Sequence, residues 1–473
     1  MSNTPLPPQK TVIRFNASQT GWSALSGTDL IARMPQDFDG SLNTDIATLQ
    51  SAADDFGHIV HAQPIAVLRP ASVADVIKMM TFAYQHNIRV SCRGNAFNTF
   101  GQSQVEAGIV IDMSSLCSVH TIAGEIAIVD AGITWRQLLL ASLEHDLTPV
   151  VLTDFLGTTV GGTLSVGGFG GTTYQHGGQI DHAIELQVVT GTGELITCSA
   201  TENSSLFNAV LGGLGLCGII VRASVRLHPA PKLARTHRLH YPDLVSMLND
   251  LRFLIRAERF SHLRGHCEAI RGKFSYFIEA TSFYTAAETL PSDPYQGLKH
   301  RSSAEVVNDR TFLGYADLVV EVVAALNEAG LGGYPHPWLD LIVPDARIET
   351  LAQQVIDSIN PANVLPGSPI LFYPMLRSKL NRMFPPLPDD ELFYGFDVLR
   401  TVPPHPGLVM NALERNRHFH ELNRSLGGRL YPISAVKQSR SDWKKHFSPN
   451  WDTLLSERIK HDPGNLFGHS VGL

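Results

Sequence analysis

The fold turns on GGTLSVGGFGGTTYQHGG, residues 161–178, in which eight of eighteen positions are glycine. Glycine loses more conformational freedom on folding than any other residue, so such a run is sustained where positive φ or very close backbone approach is required. A diphosphate is one such requirement, because its oxygens can be met by backbone N–H groups and by Thr or Ser hydroxyls without a lysine. The run holds no Lys or Arg, which disfavours a P-loop that exchanges a phosphate donor. The competing reading of the run alone is a flexible surface loop.

A second polar loop lies upstream. SCRGNAFNTFGQ, residues 91–102, offers Gly94 for a tight turn and Asn95, Asn98, Thr99 and Gln102 as neutral donors and acceptors between two apolar runs. Alone it is an interstrand loop; two such loops around one β-rich region point to a bound dinucleotide. A third glycine pattern, GLGLCG at 213–218, spells GxGxxG but has a helical pattern before it and a strand after it, the reverse of a nicotinamide fingerprint, and lacks the acidic residue about 20 positions on.

Around these loops, residues 65–68, 88–92, 108–113, 126–129 and 218–227 are expected as strands and 184–198 as a hairpin turning at 191–194. Ser72 with Asp75 as capping-box partner opens a helix carrying Val73, Val76, Met79, Met80 and Ala83, which Asn87 closes. Further helices are expected at 135–145 and 206–211, with little helical periodicity in 152–178. After about residue 230 the chain becomes richer in aromatics, Arg and His. Helical stretches at 244–257, 315–328, 347–359 and 409–426 there alternate with strands at 274–279, 338–343, 370–373 and 391–398. The expected fold is α+β in two domains, 1–235 and 236–440, with 441–473 returning to the first.

Composition excludes several classes. The 37 Lys and Arg are scattered among 44 Asp and Glu, net charge −7, which argues against nucleic-acid binding. Five cysteines with no CxxC pair argue against a disulfide framework and a thiolate metal site. The start has no apolar signal core and no run reaches about 18 apolar residues, so a soluble, cytoplasmic protein without a membrane span is expected. Asp154, in LTDF at 152–155, is a carboxylate between apolar residues. It is either a turn residue or, in a desolvated pocket, a proton acceptor with a raised pKa.

The residues also resemble a family. PIAVLRP at 64–70 with SVADV at 72–76, the 91–102 loop, TDFL at 153–156, VGGTLS at 160–165, ELQVVTG at 185–191 and LGGLG at 211–215 look like the FAD domain of cytokinin dehydrogenases. These belong to the vanillyl-alcohol oxidase and p-cresol methylhydroxylase group of flavoproteins. HPWLDLIVP at 336–344, GSPILFYP at 367–374, ELFY at 391–394, WKKHF at 443–447 and HDP at 461–463 follow in the family's order, so the resemblance runs almost from residue 64 to the end.

The resemblance implies a PCMH-type FAD-binding domain and a cap domain with an antiparallel sheet over the flavin. FAD would lie along Arg93, Gly94, Asn95, Ala96, Phe97, Asn98 and Gln102, along Asp154 and Thr159, along Gly161, Gly162, Ser165, Gly168, Gly171 and His176, and along Gly218, Ile219, Ile220 and His469. It implies that Asp154 takes the amine proton while a hydride passes from the adjacent carbon to flavin N5. Glu279 would stand near the substrate entrance, and quinone or oxygen would reoxidise the flavin. Trp338, Asp340, Leu430 and Tyr431 fall on the substrate side, where Trp338 is equally a core aromatic or a pocket wall.

Departures from the family bear on function. Phe97 stands where the family's histidine tethers the flavin, so FAD would be bound non-covalently there. Asp340 replaces a neutral amide, Leu430-Tyr431-Pro432 replaces Tyr-Leu-Pro, and Phe467-Gly468-His469 replaces Pro-Gly-Gln. The expected activity is FAD-dependent oxidation of an amine or alcohol carbon in a small hydrophobic molecule. The alternatives are a non-cytokinin substrate of secondary metabolism, or a flavin-binding protein with little redox turnover.

Overall fold

A computed structural model describes residues 12–16, 21–25, 33–286, 290, 292–301, 306–468 and 471–473. His469 therefore lies outside the described residues.

The first part of the chain builds a two-stranded hairpin, Val12–Asn16 with Gly21–Leu25, and two larger sheets. In the smaller, the order is Ser41–Asn43, Ala66–Arg69, Ile109–Asp112, Val90–Arg93, the last three parallel. Helix Val73–His86 covers it with Val76, Met79, Met80 and Ala83, all fully buried, each large side chain contributing about 1.5–3 kcal/mol. Ser72 caps that helix by accepting from the Asp75 N–H at 3.3 Å, and Asn87 closes it at φ 51. Asp75 does not reach back to the cap residue. Its carboxylate accepts from Asp39 and Gly40 N–H at 2.8 Å and Ala71 N–H at 2.9 Å, tying the preceding loop to the helix start.

The second sheet is antiparallel, ordered Leu195–Ser199, Ala183–Val189, Ile219–Pro229, Ile126–Asp130, Val119–Ala123, with Leu147–Pro149 paired to the far end of Ile219–Pro229. Leu466 and Phe467, from near the end of the chain, pack into the core of the first sheet, and Val90 N–H donates to Leu466 C=O at 3.0 Å. Asp462 accepts from Leu466 and Phe467 N–H at 2.9 and 3.0 Å and so shapes that return.

Residues beyond 230 form one antiparallel sheet of eight strands: Val306–Thr311, Leu233–Tyr241, Lys273–Tyr284, His262–Ile270, Ile370–Leu376, Leu392–Val398, Leu339–Pro344 and Arg429–Leu430. Helices Leu244–Ala257, Asp345–Asp357 and Pro406–Ser425 pack on it. Period-two alternation sorts the side chains. Leu263, Cys267, Ile278, Ala280, Leu339, Leu341 and Val343 join the apolar core, whereas Arg264, His266, Glu268, Glu279, Asp340 and Asp397 point the other way, into a cavity. The expected helix at 315–328 is two, Phe312–Ala316 and Leu318–Glu328, broken at Asp317. Asp317 is held by a two-pronged ion pair to Arg136, both N–O distances 2.9 Å. The five cysteines are free thiols, and no helix among the described residues is long and apolar enough to cross a membrane.

Candidate active site

Between the charged face of the eight-stranded sheet and the two N-terminal sheets lies a cavity of about 910 Å³. Arg93, Gly94, Asn95, Ala96, Phe97, Asn98, Gln102, Asp154, Thr159, Gly161, Gly162, Ser165, Gly218, Ile219 and Ile220 line its floor. Glu279, Trp338, Asp340 and Tyr431 line its roof and wall. Trp338 is half-buried there, a wall rather than a core residue.

Four expected residues lie elsewhere. Gly168 gives its N–H to the Tyr431 hydroxyl at 3.3 Å. Gly171 backs onto the His262 ring, where a Cβ would come within 2.2 Å. His176 is exposed, its carbonyl meeting His182 Nε2 at 2.7 Å, and Leu430 sits in the apolar core.

The glycine run does not present its amides to the cavity. Val160 and Gly161 N–H donate to Ile133 and Ala131 C=O at 2.9 and 2.7 Å, and Gly162 N–H donates to Thr159 Oγ1 at 3.3 Å. Thr163, Ser165, Val166 and Gly167 N–H close turns within the segment. The run's glycines serve close packing instead. The open amides are in the first loop: Asn95, Ala96, Phe97 and Asn98 N–H have no partner among the described residues and line the cavity. Ala96 sits at φ 51, a left-handed residue that helps curve successive N–H groups into an anion-binding concavity. Gly94 lies so close to Thr159 that a Cβ would come within 2.1 Å of Oγ1. A diphosphate fits this loop, by its four free donors and its lack of any carboxylate.

The loop is braced from behind. Asp55 accepts from Gly101 N–H at 2.6 Å and Asn98 Nδ2 at 3.2 Å, and burial raises its carboxyl to about 6. Gln102 Nε2 donates to the carbonyls of Pro432 and Ser434 at 3.3 and 3.1 Å, and Thr99 Oγ1 to Ile433 C=O at 2.6 Å, fastening the loop to the segment after strand Arg429–Leu430. Phe97 stacks on Phe155 with ring centroids 4.1 Å apart and packs at 4.3 Å on Phe56, which stacks on His336.

Asp154 is half-buried beneath the roof, but its pKa moves opposite to expectation. Burial alone would raise it. The Arg264 guanidinium, hydrogen-bonded to Oδ2, with His262 at 3.5 Å and the Tyr373 hydroxyl donating at 2.5 Å, outweigh burial and hold the carboxyl well below its usual range. Arg264 also reaches Glu279 Oε2 at 2.5 Å, and Arg238 donates to Glu279 Oε1 at 2.7 Å. Glu279 is likewise half-buried, and Arg264 and His266 depress it strongly against its partial desolvation. The site is thus an ion lattice, Asp154–Arg264–Glu279–Arg238, in which both carboxylates stay ionised.

Arg264, Tyr373, His262 and Arg238 are not among the residues the sequence motifs single out. A signal existed: HLRGHCEAI at 262–270 alternates charged or imidazole residues with apolar or small ones, the mark of a strand with one polar face.

Comparison with known proteins decides the family. The family model described as "Cytokinin dehydrogenase 1, FAD and cytokinin binding" matches residues 247–471, and that described as "FAD binding domain" matches 64–199. Cytokinin dehydrogenase 9 of Oryza sativa subsp. japonica is 33% identical over 461 residues, covering 88% of this chain and 87% of its own. The chain belongs to the cytokinin dehydrogenase family of FAD-binding flavoproteins. Cytokinin dehydrogenase 3 of Arabidopsis thaliana is 31% identical, covering 96% of this chain and 92% of its own. A bacterial relative, "Uncharacterized oxidoreductase ORF5 in fasciation locus" of Rhodococcoides fascians, is 35% identical over 426 residues, 90% of this chain and 97% of its own. The reversed GxGxxG at 213–218 is here a helix-to-strand connection between Ser204–Val210 and Ile219–Pro229.

Proposed function

We propose that the protein is an FAD-dependent oxidoreductase that removes a hydride from an amine- or alcohol-bearing carbon of a small hydrophobic molecule, with Asp154 as proton acceptor. Quinone or oxygen is the final electron acceptor. The observation that carries this reading is one cavity meeting both a loop of free amides at residues 95–98 and a carboxylate kept ionised at Asp154. FAD, when bound, supplies the hydride acceptor; residues 95–98 and Gly94 would hold its diphosphate.

The chain's own groups set the proton chemistry. An N–H or O–H proton must leave as the C–H bond breaks, and an ionised acceptor couples the two events. Asp154 is ionised throughout the neutral range because Arg264, His262 and Tyr373 stabilise its charge. That stabilisation makes it a weak base in isolation. Its proton affinity rises when a substrate displaces water and loosens the Tyr373 hydrogen bond. Glu279, ion-paired both to Arg264 and to the half-exposed Arg238, orients Arg264 rather than accepting the proton. Phe97 has no nucleophilic nitrogen and its ring is stacked on Phe155, which supports non-covalent FAD. The N-terminal part with the returning C-terminal segment would form the FAD-binding unit, and residues 236–440 the cap.

The test begins with colour. The purified protein shows flavin absorption, and acid precipitation leaves that flavin in the supernatant; flavin in the pellet refutes non-covalent binding. Protein that neither carries nor takes up FAD refutes the whole reading. Anaerobic substrate screening follows bleaching of the flavin band, repeated on Asp154→Asn. A fall of about 10²–10⁴-fold in reduction rate is expected, and an unchanged rate removes Asp154 from the reaction. Asp397 and Asp340, which no cytokinin-like reading requires, favour a substrate other than a neutral adenine derivative.

A further inference from the structure

Two carboxylates in the roof take no part in the proton chemistry above. Asp340 and Asp397 are directly opposed partners across strands Leu339–Pro344 and Leu392–Val398, and both line the cavity. Opposed residues of an antiparallel pair keep their Cβ atoms roughly 4.5–5.5 Å apart on one face. Asp340 is 1% exposed; its Oδ2 accepts from the Ser434 hydroxyl at 3.3 Å, and its Oδ1 has no hydrogen-bond partner among the described residues. Asp397 is half-buried, opens to the cavity and has no ion-pair partner among the described residues.

The rest of the roof is different. Asp154 has Arg264, Glu279 has Arg264 and Arg238, and Glu268 has His266 at 3.1 Å. Arg400, whose charge Asp340 feels, turns its Nη2 to Asn416 Oδ1 at 2.5 Å and pairs with neither carboxylate. Burial raises both carboxyls, and each acid's proximity to another carboxylate raises Asp397 further, through Asp340 and Asp154, while Ser434 and Arg400 only partly offset the rise at Asp340. Two such groups, facing one another on the cavity wall, hold their protons more tightly than usual, and a cation placed between them favours their ionised form.

We propose that Asp340 and Asp397 form a cation subsite that takes a protonated nitrogen, an ammonium or amidinium, carried by the substrate away from the carbon that is oxidised. This rests on the oxidoreductase reading, which supplies the substrate's other end. The recognised nitrogen is separate from the reacting one, because a carbon bearing an ammonium has no lone pair to assist hydride loss. Strand spacing sets the reach. Tyr373, which holds Asp154, lies on Ile370–Leu376; the next strand carries Asp397 and the one after carries Asp340. Asp397 pairs with Leu371, two residues from Tyr373, so at about 4.8 Å per strand and about 3.3 Å per residue the cation sits roughly 8–12 Å from Tyr373. Leu371 and Trp338 on the same cavity wall accept an apolar body between the two ends.

Three pairs of compounds differ only in ammonium against hydroxyl: benzylamine and benzyl alcohol, phenethylamine and phenethyl alcohol, tryptamine and tryptophol. They are titrated calorimetrically into the FAD-loaded protein near pH 7, with flavin difference spectra as second readout. The expected result is an amine bound about tenfold tighter than its alcohol in at least one pair. In Asp397→Asn the preference falls to parity with alcohol affinity unchanged, and Asp397→Glu restores it; Asp397→Ser serves where the Asn variant does not fold. Parity in every pair, no amine binding in any, or a preference that survives in both Asp397→Asn and Asp340→Asn overturns the proposal. Calorimetry needs no turnover and the probes carry no second oxidisable amine or alcohol carbon, so amine preference tests the subsite alone; protein that takes up no FAD refutes the oxidoreductase reading alone, and FAD uptake with parity in every pair refutes the subsite alone.

Discussion

Arg264→Gln removes the one cation shared by two half-buried carboxylates. In the wild type the Arg264 side chain is 15% exposed and pairs with Asp154 and with Glu279, themselves 17% and 14% exposed. Breaking a buried pair by deleting one partner costs about 3–5 kcal/mol, because the remaining charge is left desolvated. The lower end applies here: Asp154 keeps Tyr373 at 2.5 Å and His262 at 3.5 Å, and Glu279 keeps Arg238 at 2.7 Å and His266 at 3.2 Å. At roughly 2.1 cal/mol/K of unfolding entropy per residue, a chain of 473 residues carries about 1 kcal/mol/K, so a loss of about 3 kcal/mol lowers Tm by about 3 °C. The pH dependence has a definite sign. Both carboxyls have folded pKa values below their unfolded ones, so their stabilisation is present above about pH 4 and is lost as pH falls through the folded values. In the variant both pKa values rise, so the Tm gap is widest near neutrality and narrows in acid. Arg264→Lys keeps the charge without the fork that spans two carboxylates, and recovers about half of the loss. The assay is thermal unfolding by circular dichroism across pH. A variant within about 1 °C of wild type at neutral pH, or a gap that widens in acid, refutes the lattice as described.

Three further outcomes are expected. Gly171→Ala drives a Cβ to within 2.2 Å of the His262 ring and costs about 1–3 kcal/mol in chemical denaturation, whereas Gly333→Ala, with no atom within 4 Å of the new methyl, stays within about 0.5 kcal/mol. Burial raises Asp55 to about 6, above its unfolded value near 3.9, so the folded chain binds more protons between those values and this group's contribution to stability grows as pH falls from about 7 to 5. Asp55→Asn flattens that part of the pH profile; an unaltered profile counts against it. Phe97→Ala loses ring contacts at 4.1 Å to Phe155 and 4.3 Å to Phe56 and lowers stability by about 1–3 kcal/mol, read from urea midpoints at unchanged slope. No change would mean that the aromatic cluster is not packed in solution.

Where the sequence was readable, the signals were local. Ser72 and Asn87 bound their helix by short-range cap chemistry, and residues 184–198 form the hairpin their glycine turn announces, Ala183–Val189 with Leu195–Ser199. What escaped was set by register and by partners far along the chain. The glycine run has the composition of an anion cradle, yet whether its amides are free depends on Ala131 and Ile133, whose carbonyls reach it only after the sheet has formed. The cradle falls instead to residues 95–98, which contain no glycine yet hold Ala96 in a glycine-like conformation at φ 51. Asp154 fails in the same way. Burial, which its apolar neighbours foretold, raises a carboxyl, but Arg264, 110 residues away, reverses the sign. The carboxylate at 340 was visible as a departure, and only pairing of Leu339–Pro344 with Leu392–Val398 sets Asp397 opposite it. A single acid on a cavity wall is neutralised by taking up a proton; a second directly across from it leaves a charge that protonation of one does not remove. The chemistry of the wall is therefore a property of the strand pairing, and a shift of that register by one residue would turn one of the two acids into the helix-facing core, where it could not be kept.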